Sequence, residues 1–324
     1  MPIETGAQAR RPVYCVLSAR SLPYATPAFR SLLANCDDEL RLTLITDGAD
    51  DKRALVDAMS VLAPDGRHAW TVRDKAEADE RAAIRLARHP NVAAFREGHP
   101  CWRKITDPLL FAEDGEEMVL LDPDLYFPNR FRFEPTPERG LLLMYQPPSC
   151  LLPHETVVSA FDLGVPMAHH TDIGVAQIRA PLDLDWLDGL LGSLGGRDLP
   201  RSMHVESIVW AAMAMRVGGG YLDAEHWHCW RNSHWKRMVL KLGASGHDVL
   251  RAESFRTMKC FHGGGAAKWW IPDAVEKGIV GNPEKVEAHR DPRPYVELSR
   301  GTYDSLRRWK EVARRLGYHA LMKT

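Results

Sequence analysis

Short apolar segments alternate with helical segments in the first 62 residues, and this alternation limits the possible fold more than any other feature of the sequence. The runs Val13–Ser18 and Leu42–Thr46 are rich in strand-forming residues, whereas helices are predicted from about Pro23 to Cys36 and from Asp50 to about Leu62. The order strand, helix, strand, helix is typical of a parallel sheet with helices on its faces. The sequence therefore predicts an α/β fold.

The rest of the chain continues this pattern. Further buried strands are predicted at 118–121, 141–144, 173–176 and 258–261. Further helices are predicted at 77–95 with a break at Pro90, at about 183–194, at 203–216 before the glycines 218–220, and at about 302–321. We expect a mixed, mostly parallel sheet of the Rossmann-like kind, followed by an amphipathic C-terminal helix.

Composition narrows the class of protein. The 324 residues are 45% hydrophobic and 26% charged, which excludes a disordered chain, a collagen and a coiled coil. The formal net charge of -1 does not indicate a surface built for nucleic acid. No apolar run approaches the roughly 18–20 residues that span a bilayer, and no apolar segment of a signal peptide follows the arginines of Met1–Arg11. We therefore expect a cytoplasmic protein, whose six cysteines, without CxxC spacing, are reduced thiols.

Two acidic residues directly follow the predicted strand 118–121. Asp122 and Asp124 are two residues apart, so their carboxylates point to the same side of the sheet. Ligands of open α/β sheets bind outside the carboxyl ends of the strands, and two carboxylates there can hold Mn²⁺ or Mg²⁺ against a diphosphate. Taken alone, the pair is equally compatible with an ordinary polar turn.

A second group of candidate residues spans positions 262–270. Here His262 is followed by three glycines, Lys268 and two tryptophans. Glycines let the backbone approach a ligand and offer N–H groups to phosphate, and a lysine is a point charge for the same anion. His262 can complete a metal site that the two aspartates begin. A flexible turn with a solvated lysine is the alternative.

Together these elements resemble a GT-A-fold glycosyltransferase, and most of all the family-8 type that includes lipooligosaccharide galactosyltransferases of bacteria and glycogenin. The C-terminal H-x-x-G-x-x-K-P-W motif of that family is matched by His262, Gly265, Lys268 and Trp270, with Trp269 in place of proline. The family's DxD is matched by 122–124 and its N-x-G-V strand start by 172–175, with Asp172 in place of asparagine. Lys104 resembles the basic residue upstream of the DxD. The match extends from about Val13 to Trp270.

The resemblance implies a nucleotide-sugar donor, usually a UDP-sugar, bound by the first strand–helix unit. The residues that match the nucleotide cradle are Ser18, Ala19, Tyr24 and Asp47. It further implies Mn²⁺ (or Mg²⁺) held by Asp122, Asp124 and His262, with Lys268 and the Gly265 amide stabilising the departing UDP. Such groups offset the charge that develops on a leaving diphosphate.

One position departs from the family. An Asp-Gln pair normally touches the donor sugar, whereas this chain has His204-Val205-Glu206-Ser207, so Glu206 is the candidate carboxylate near the anomeric carbon, with Asp172 and Lys104 as further catalytic candidates. Glu206 can be a nucleophile, an electrostatic stabiliser, a hydrogen-bond partner of sugar hydroxyls, or only a surface glutamate.

Two further segments leave their roles open. The histidines, tryptophans and Cys229 of 226–235 can line an acceptor site, pack as a cluster, or bind zinc, although their spacing matches no common zinc motif. The tail from Arg300 carries seven basic and two acidic residues on an amphipathic helix, with an apolar stripe of Leu306, Trp309, Val312, Ala313 and Leu316. It can lie on an anionic membrane, such as the inner membrane surface, or pack on the domain with its basic face in water.

The sequence thus predicts one GT-A-like domain over residues 1–298, with a donor half at about 12–150 and an acceptor half at about 151–298, and a basic helix over 299–324. The expected reaction moves a hexosyl group from a UDP-sugar to a hydroxyl of a glycan, glycolipid or protein, and the resemblance implies retention at the anomeric carbon. Two alternatives stay open: a non-catalytic nucleotide- or carbohydrate-binding protein, and a sugar-1-phosphate nucleotidyltransferase, which would need a Gly-rich loop where 18–23 has no glycine.

Overall fold

The computed structural model describes residues 10–148, 150–179, 182–281 and 284–317. The strands within these ranges are β1 (Arg11–Val16), β2 (Leu40–Ile45), β3 (Ala69–Arg73), β4 (Glu117–Leu121), β5 (Leu125–Tyr126), β6 (Arg130–Phe131), β7 (Leu141–Tyr145), β8 (Thr171–Arg179), β9 (Gly219–Tyr221), β10 (Trp227–Cys229), β11 (Cys260–His262) and β12 (Lys285–Val286). The α-helices are α1 (Leu22–Asn35), α2 (Ala49–Leu62), α3 (Lys75–Arg85), α4 (Pro90–Gly98), α5 (Arg103–Phe111), α6 (His154–Asp162), α7 (Leu184–Ser193), α8 (Val205–Val217), α9 (His234–Lys241), α10 (Gly246–Arg251), α11 (Ala267–Glu276) and α12 (Arg300–Arg315).

Seven of the described strands form the main sheet, in the order β3-β2-β1-β4-β8-β7-β9. The first four strands are parallel to one another, β8 is antiparallel to both β4 and β7, and β9 is parallel to β7. The prediction of an α/β fold with a mixed, mostly parallel sheet is confirmed. The parallel strands must be joined by crossovers, and α1 and α2 supply the first two.

The core lies on both faces of this sheet. Successive residues of β4 alternate between two apolar clusters: Met118 and Leu120 belong to one, and Val119 and Leu121 to the other. A strand that is buried on both faces has the continuous apolar sequence seen here, which is why β1, β2 and β4 were predictable from local sequence.

A smaller sheet, of order β10-β11-β5, brings the C-terminal part of the chain to the end of β4. β11 pairs antiparallel with β5, so that His262 lies opposite Leu125, directly after the Asp122–Asp124 turn. The Gly263 N–H also donates a hydrogen bond of 2.9 Å to the Asp124 carbonyl oxygen. Two sequence segments 140 residues apart are thereby fixed side by side.

Several predicted boundaries needed correction. The region 77–95 is two helices, α3 and α4, and Pro90 begins α4 rather than only breaking a helix, because proline is tolerated at the first helical position. The edge strand β3, which is only half-buried, was not predicted. Helix α8 ends where predicted, at Gly218, whose φ of 75° is a left-handed value that glycine adopts readily.

The C-terminal helix α12 begins at Arg300, two residues before its predicted start, and the predicted end at 321 lies outside the described residues. The division into donor and acceptor halves remains a prediction. None of the described helices combines the length and apolar character needed to cross a membrane.

Candidate active site

The predicted aspartates lie where β4 leaves the main sheet. The Asp122 N–H donates a 2.9 Å hydrogen bond to the carbonyl oxygen of Gly174 on β8, which fixes the start of the turn. Because β1, β2 and β4 are parallel, their carboxyl ends share this edge of the sheet, and Ser18 and Asp47 follow β1 and β2 there. This edge is the usual position of a ligand site in an open α/β sheet.

Three potential metal ligands converge at this edge. His262 Nε2 lies 3.2 Å from Asp124 Oδ1 and 3.9 Å from Asp122 Oδ2. One ligand atom from each of the three residues lies within 4.8 Å of the others, and each side chain is only about a tenth exposed. The three predicted metal ligands are therefore brought together in one cluster.

The orientation of the His262 ring is set by Asp172 on β8. The Nδ1 atom of His262 donates a 2.7 Å hydrogen bond to Asp172 Oδ1. The same oxygen also accepts a 2.9 Å hydrogen bond from the Gly174 N–H. Gly174 is required here, because a Cβ at this position would lie 2.6 Å from His262 Nδ1. With Nδ1 held by a carboxylate, the other ring nitrogen, Nε2, faces the two aspartates, an arrangement typical of metal-ligating histidines.

Cys229 lies close to both Asp172 and His262. Asp172, Cys229 and His262 also place one potential ligand atom each within 4.8 Å of the others. Burial raises the pKa of the Cys229 thiol to about 12, with the negative charge of Asp172 adding to the effect. The Asp122, Asp124 and His262 cluster supplies two carboxylates and this one supplies only one, so the former is the better site for Mn²⁺ or Mg²⁺, which prefer oxygen ligands.

The zinc alternative for segment 226–235 gains no support from its other members. Trp227 and Trp230 are buried in the core, and His228 lies 3.6 Å from Glu253. Within the described ranges, neither His226 nor His228 belongs to a cluster of possible metal ligands. The buried part of this segment is a packing cluster, and an acceptor-lining role of Trp235, which is 65% exposed, stays a prediction.

Lys104 links the aspartates to Glu206. Its Nζ, on α5, lies 2.7 Å from Asp122 Oδ1 and 3.5 Å from Glu206 Oε1 on α8. Burial acts to lower the pKa of Lys104, but Asp122 and Glu206 outweigh it and raise that pKa well above its ordinary value. Burial raises the pKa of Glu206 to about 8, and its Oε2 finds no hydrogen-bond partner within the described part of the chain. Glu206 is therefore a buried site residue, not a surface glutamate.

The pKa values of the other titratable groups reflect how closely the acidic and basic side chains of the site lie together. Burial raises the pKa of Asp122, against the influence of Lys104. Burial would also raise the pKa of Asp124, but His262 outweighs it, and that pKa lies below its usual value. Burial acts to lower the pKa of His262. The negative charges of Asp172 and Asp124 outweigh this effect of burial and raise the pKa well above its ordinary value. Among the described residues, Asp122, Asp124, Asp172 and Glu206 face three basic groups, those of Lys104, His262 and Lys268, so the charges of the site balance only while Glu206 keeps its proton.

Lys268, on the first turn of α11, is the third basic residue of the site. Its Nζ is 3.4 Å from Asp124 Oδ2 and 4.7 Å from the centre of the Tyr24 ring. The Trp269 ring meets the same tyrosine edge-on at 5.1 Å and is 55% exposed. Gly265 precedes the helix with a left-handed φ of 68°.

Several of these side chains line a pocket of about 260 Å³, whereas Asp172, Glu206 and His262 are not among its lining residues. The lining includes seven of the predicted residues: Ser18, Tyr24, Asp47, Lys104, Asp122, Asp124 and Lys268. Sequence reasoning did not assign the other seven lining residues to the site: Val16, Leu17, Ser21, Pro100, Cys101, Pro123 and Met203. Of these, Ser21 accepts a 3.0 Å hydrogen bond from the Tyr24 hydroxyl. Ala19 lies in a short 3₁₀ turn beside Ser18, and Asp47 also accepts a 2.7 Å hydrogen bond from Arg103.

The chemistry of these residues suits a divalent cation. Two carboxylates and one imidazole are ligands that Mn²⁺ accepts, and Mg²⁺ accepts the carboxylates. The site has one acid more than it has basic groups, so a bound cation would offset the charge that appears when Glu206 ionises, and the His262 ring already presents its Nε2 to both aspartates. The residues present therefore fit a metal ion.

Comparisons with known proteins give structural likenesses only. No protein-family model and no curated protein matches the sequence. Among solved structures, the fold is similar to mouse xyloside xylosyltransferase 1 in its apo form, at 14% identity over 81% of this chain and 99% of the other, with a TM-score of 0.49. It is similar to the galactosyltransferase LgtC in complex with donor and acceptor sugar analogs, at 12% identity over 84% and 97% of the two chains, with a TM-score of 0.47.

A third likeness is to the glycosyltransferase GlyE of Streptococcus pneumoniae TIGR4, at 12% identity over 86% of this chain and 66% of the other, with a TM-score of 0.42. Because these TM-scores lie below 0.5, the fold class is taken from the strand order, and the candidate site from the distances given above.

Proposed function

We propose that the chain is a metal-dependent glycosyltransferase that moves a hexosyl group from a UDP-sugar to a hydroxyl acceptor. One observation carries the proposal: Asp122, Asp124 and His262 converge beside Lys268 at the carboxyl edge of the parallel strands. The predicted nucleotide-cradle residues Ser18, Tyr24 and Asp47 line the same pocket. These positions are also those on which the sequence resembles family-8 glycosyltransferases.

Three side chains would hold the metal. Asp122, Asp124 and the Nε2 of His262 would bind Mn²⁺ or Mg²⁺, which supplies positive charge against the donor's diphosphate when bound. Asp172 acts through His262, whose ring it orients, and is therefore proposed as a positioning residue rather than the catalytic one predicted from the sequence.

Two lysines would meet the phosphates. Lys268 points into the pocket beside Asp124, where it can offset the negative charge on departing UDP, and the Gly265 N–H is placed just before it. Lys104 sits between Asp122 and Glu206, at the junction of the phosphate and sugar ends of the proposed donor site. Both lysines bind and stabilise charge in this proposal, and neither transfers a proton.

Glu206 is the proposed contact to the donor sugar. Since its pKa is about 8, the carboxyl is mostly protonated at neutral pH, and a protonated carboxyl donates a hydrogen bond to a sugar hydroxyl more readily than it attacks carbon. This favours the hydrogen-bonding role over the nucleophilic one. Retention at the anomeric carbon is proposed from the sequence resemblance.

Calorimetric titration with UDP tests the donor site. We expect UDP binding by the wild type in Mn²⁺ to weaken at least about 100-fold in EDTA or in Asp124→Asn, because the metal ligands are lost. Asp50→Asn, whose side chain is 90% exposed on α2, is the matched control and should bind as the wild type does. Equal binding with and without metal would contradict the proposal.

Turnover separates the enzyme from its alternatives. A glycosyltransferase slowly hydrolyses its UDP-sugar to UDP and free sugar, whereas a binding protein leaves the donor intact. A nucleotidyltransferase would instead release a sugar 1-phosphate when supplied with pyrophosphate. Metal-dependent binding without any UDP-sugar hydrolysis would favour the non-catalytic alternative, in which Glu206 takes the place of the family's Asp-Gln pair.

A further inference from the structure

Helix α12 is attached to the rest of the molecule at its first turn and is exposed beyond it. None of its residues is buried. Tyr303 packs on α6, where its hydroxyl lies 3.2 Å from His154 Nδ1, and Arg300 forms an ion pair with Asp162. A 16-residue helix without buried residues gains little stability from packing on its own domain.

The exposed part of α12 carries a continuous apolar stripe. Leu306, Trp309, Val312 and Leu316 are 39%, 73%, 47% and 76% exposed. Their spacing of three and four residues places them on one face of the helix. In the described part of the structure only the first turn of α12 packs on the domain, and the stripe does not, which differs from the predicted packing alternative.

Basic residues flank this stripe on both sides. Residues 300–317 contain six arginines and lysines against two acids, a net charge of +4, although the whole chain has a net charge of -1. At about 100° per residue, Arg308 and Arg315 lie along one border of the stripe and Lys310 along the other. Arg308 and Lys310 form no ion pair with any residue that the structure describes.

We propose that α12 is an interfacial helix that docks this protein on an anionic lipid bilayer. An amphipathic helix with an apolar face and lysines or arginines at its borders lies in the plane of a bilayer, with its apolar side chains below the headgroups. Tryptophan is favoured at this depth. A second copy of the chain is the poorer occupant, because two helices of net charge +4 repel each other along the same stripe.

Sedimentation of the full chain with lipid vesicles tests the docking. We expect binding to vesicles that contain phosphatidylglycerol, weak binding to pure phosphatidylcholine, and loss of binding as salt rises. Each basic residue at an anionic surface contributes about fivefold, so Arg308→Gln with Arg315→Gln should weaken binding about 25-fold. Trp309→Ser with Leu316→Ser should weaken it at least about tenfold, because two apolar side chains no longer insert.

Matched variants keep the test specific. Val61 and Ile84 are 78% and 82% exposed on α2 and α3, and Val61→Ser with Ile84→Ser should bind vesicles as the wild type does. Equal binding to neutral and anionic vesicles, or wild-type binding by the α12 variants, would overturn the proposal. A dimer in lipid-free sedimentation velocity that Trp309→Ser with Leu316→Ser dissociates would assign the stripe to a second copy instead. UDP binding by these variants is measured separately, so failure of docking is distinguishable from failure of the proposed function.

Discussion

Helix α5 contributes residues to two buried clusters of acidic and basic side chains, and the clusters differ in how their charge is balanced. Asp107 is fully buried, and each of its oxygens accepts a 2.7 Å hydrogen bond, one from Arg96 Nε and one from Arg103 Nε. At the candidate active site, by contrast, four acids share three basic groups, and Oε2 of Glu206 has no hydrogen-bond partner within the described ranges.

The difference separates an arrangement built for stability from one suited to binding. Both arginines of the Asp107 cluster reach further acceptors, with Arg96 contacting Asp79 at 2.6 Å and Arg103 contacting Asp47 at 2.7 Å. Asp107, the fully buried acid of this cluster, therefore has both oxygens paired, although Nη2 of Arg96 has no hydrogen-bond partner within the described residues. The site instead holds one acid more than its basic groups can neutralise, so Glu206 must stay protonated, or a cation must bind, for its buried charges to balance. Arg103 and Lys104 are neighbours on α5, so the balanced cluster also holds the lysine of the unbalanced one in place.

The largest expected effect is the loss of stability when the balanced cluster is broken. Asp107→Asn leaves two buried arginines without their shared carboxylate, and we expect the free energy of unfolding to fall by about 3–5 kcal/mol, measured by urea denaturation. Asp114→Asn removes an acid that is 81% exposed and paired with Arg85, and it should change stability by less than about 0.5 kcal/mol. A loss below about 1 kcal/mol in Asp107→Asn would show that the two clusters do not differ as proposed.

A smaller effect is expected at the link between β8 and His262. Gly174→Ala puts a methyl group 2.6 Å from His262 Nδ1, so the ring must shift, which should cost about 1–3 kcal/mol of stability. The shift also moves Nε2 away from the aspartates, and we expect Mn²⁺ affinity by calorimetry to fall about 10–100-fold.

The control for this substitution is Gly189→Ala. Gly189 lies within α7 with open space around it, so alanine should be neutral or stabilise by about 0.5–1 kcal/mol. Wild-type stability together with wild-type Mn²⁺ affinity in Gly174→Ala would mean that Asp172 and Gly174 do not position His262.

The smallest effect concerns the pH dependence that Glu206 confers. Its pKa is about 8 in the folded protein but near 4.5 in an unfolded chain, so between these values the folded state holds a proton that the unfolded state releases. Stability due to this group therefore falls as pH rises from about 5 to 8.

Glu206→Gln removes that dependence. Relative to the wild type, the variant should gain on the order of 1 kcal/mol between pH 5 and pH 8 in urea denaturation. Glu80→Gln, an exposed position on α3, should leave the pH profile unchanged. If the stabilities of Glu206→Gln and of the wild type changed with pH in parallel, Glu206 would not be the acid whose ionisation unbalances the charges of the site.

Much of the fold could be predicted because it depends on local pattern. The apolar runs of β1, β2 and β4 and the helical spacing of α1 and α2 were sufficient to place these elements within a few residues. Helix α1 also buries Ala28, Leu32 and Leu33 as predicted. The edge strand β3 was not recognisable, because only one of its five residues is buried and its sequence therefore lacks an apolar run.

The sequence by itself determined which residue types stand at the end of β4 and before α11, because strand and helix periodicity are properties of neighbouring residues. Only the tertiary structure decided that Asp172 holds His262 across 90 residues, that Lys104 is shared between Asp122 and Glu206, and that the stripe of α12 is exposed. These contacts depend on the register between distant strands and on how helices pack against the sheet. No local pattern contains that information, since it arises from burying the two faces of one sheet together.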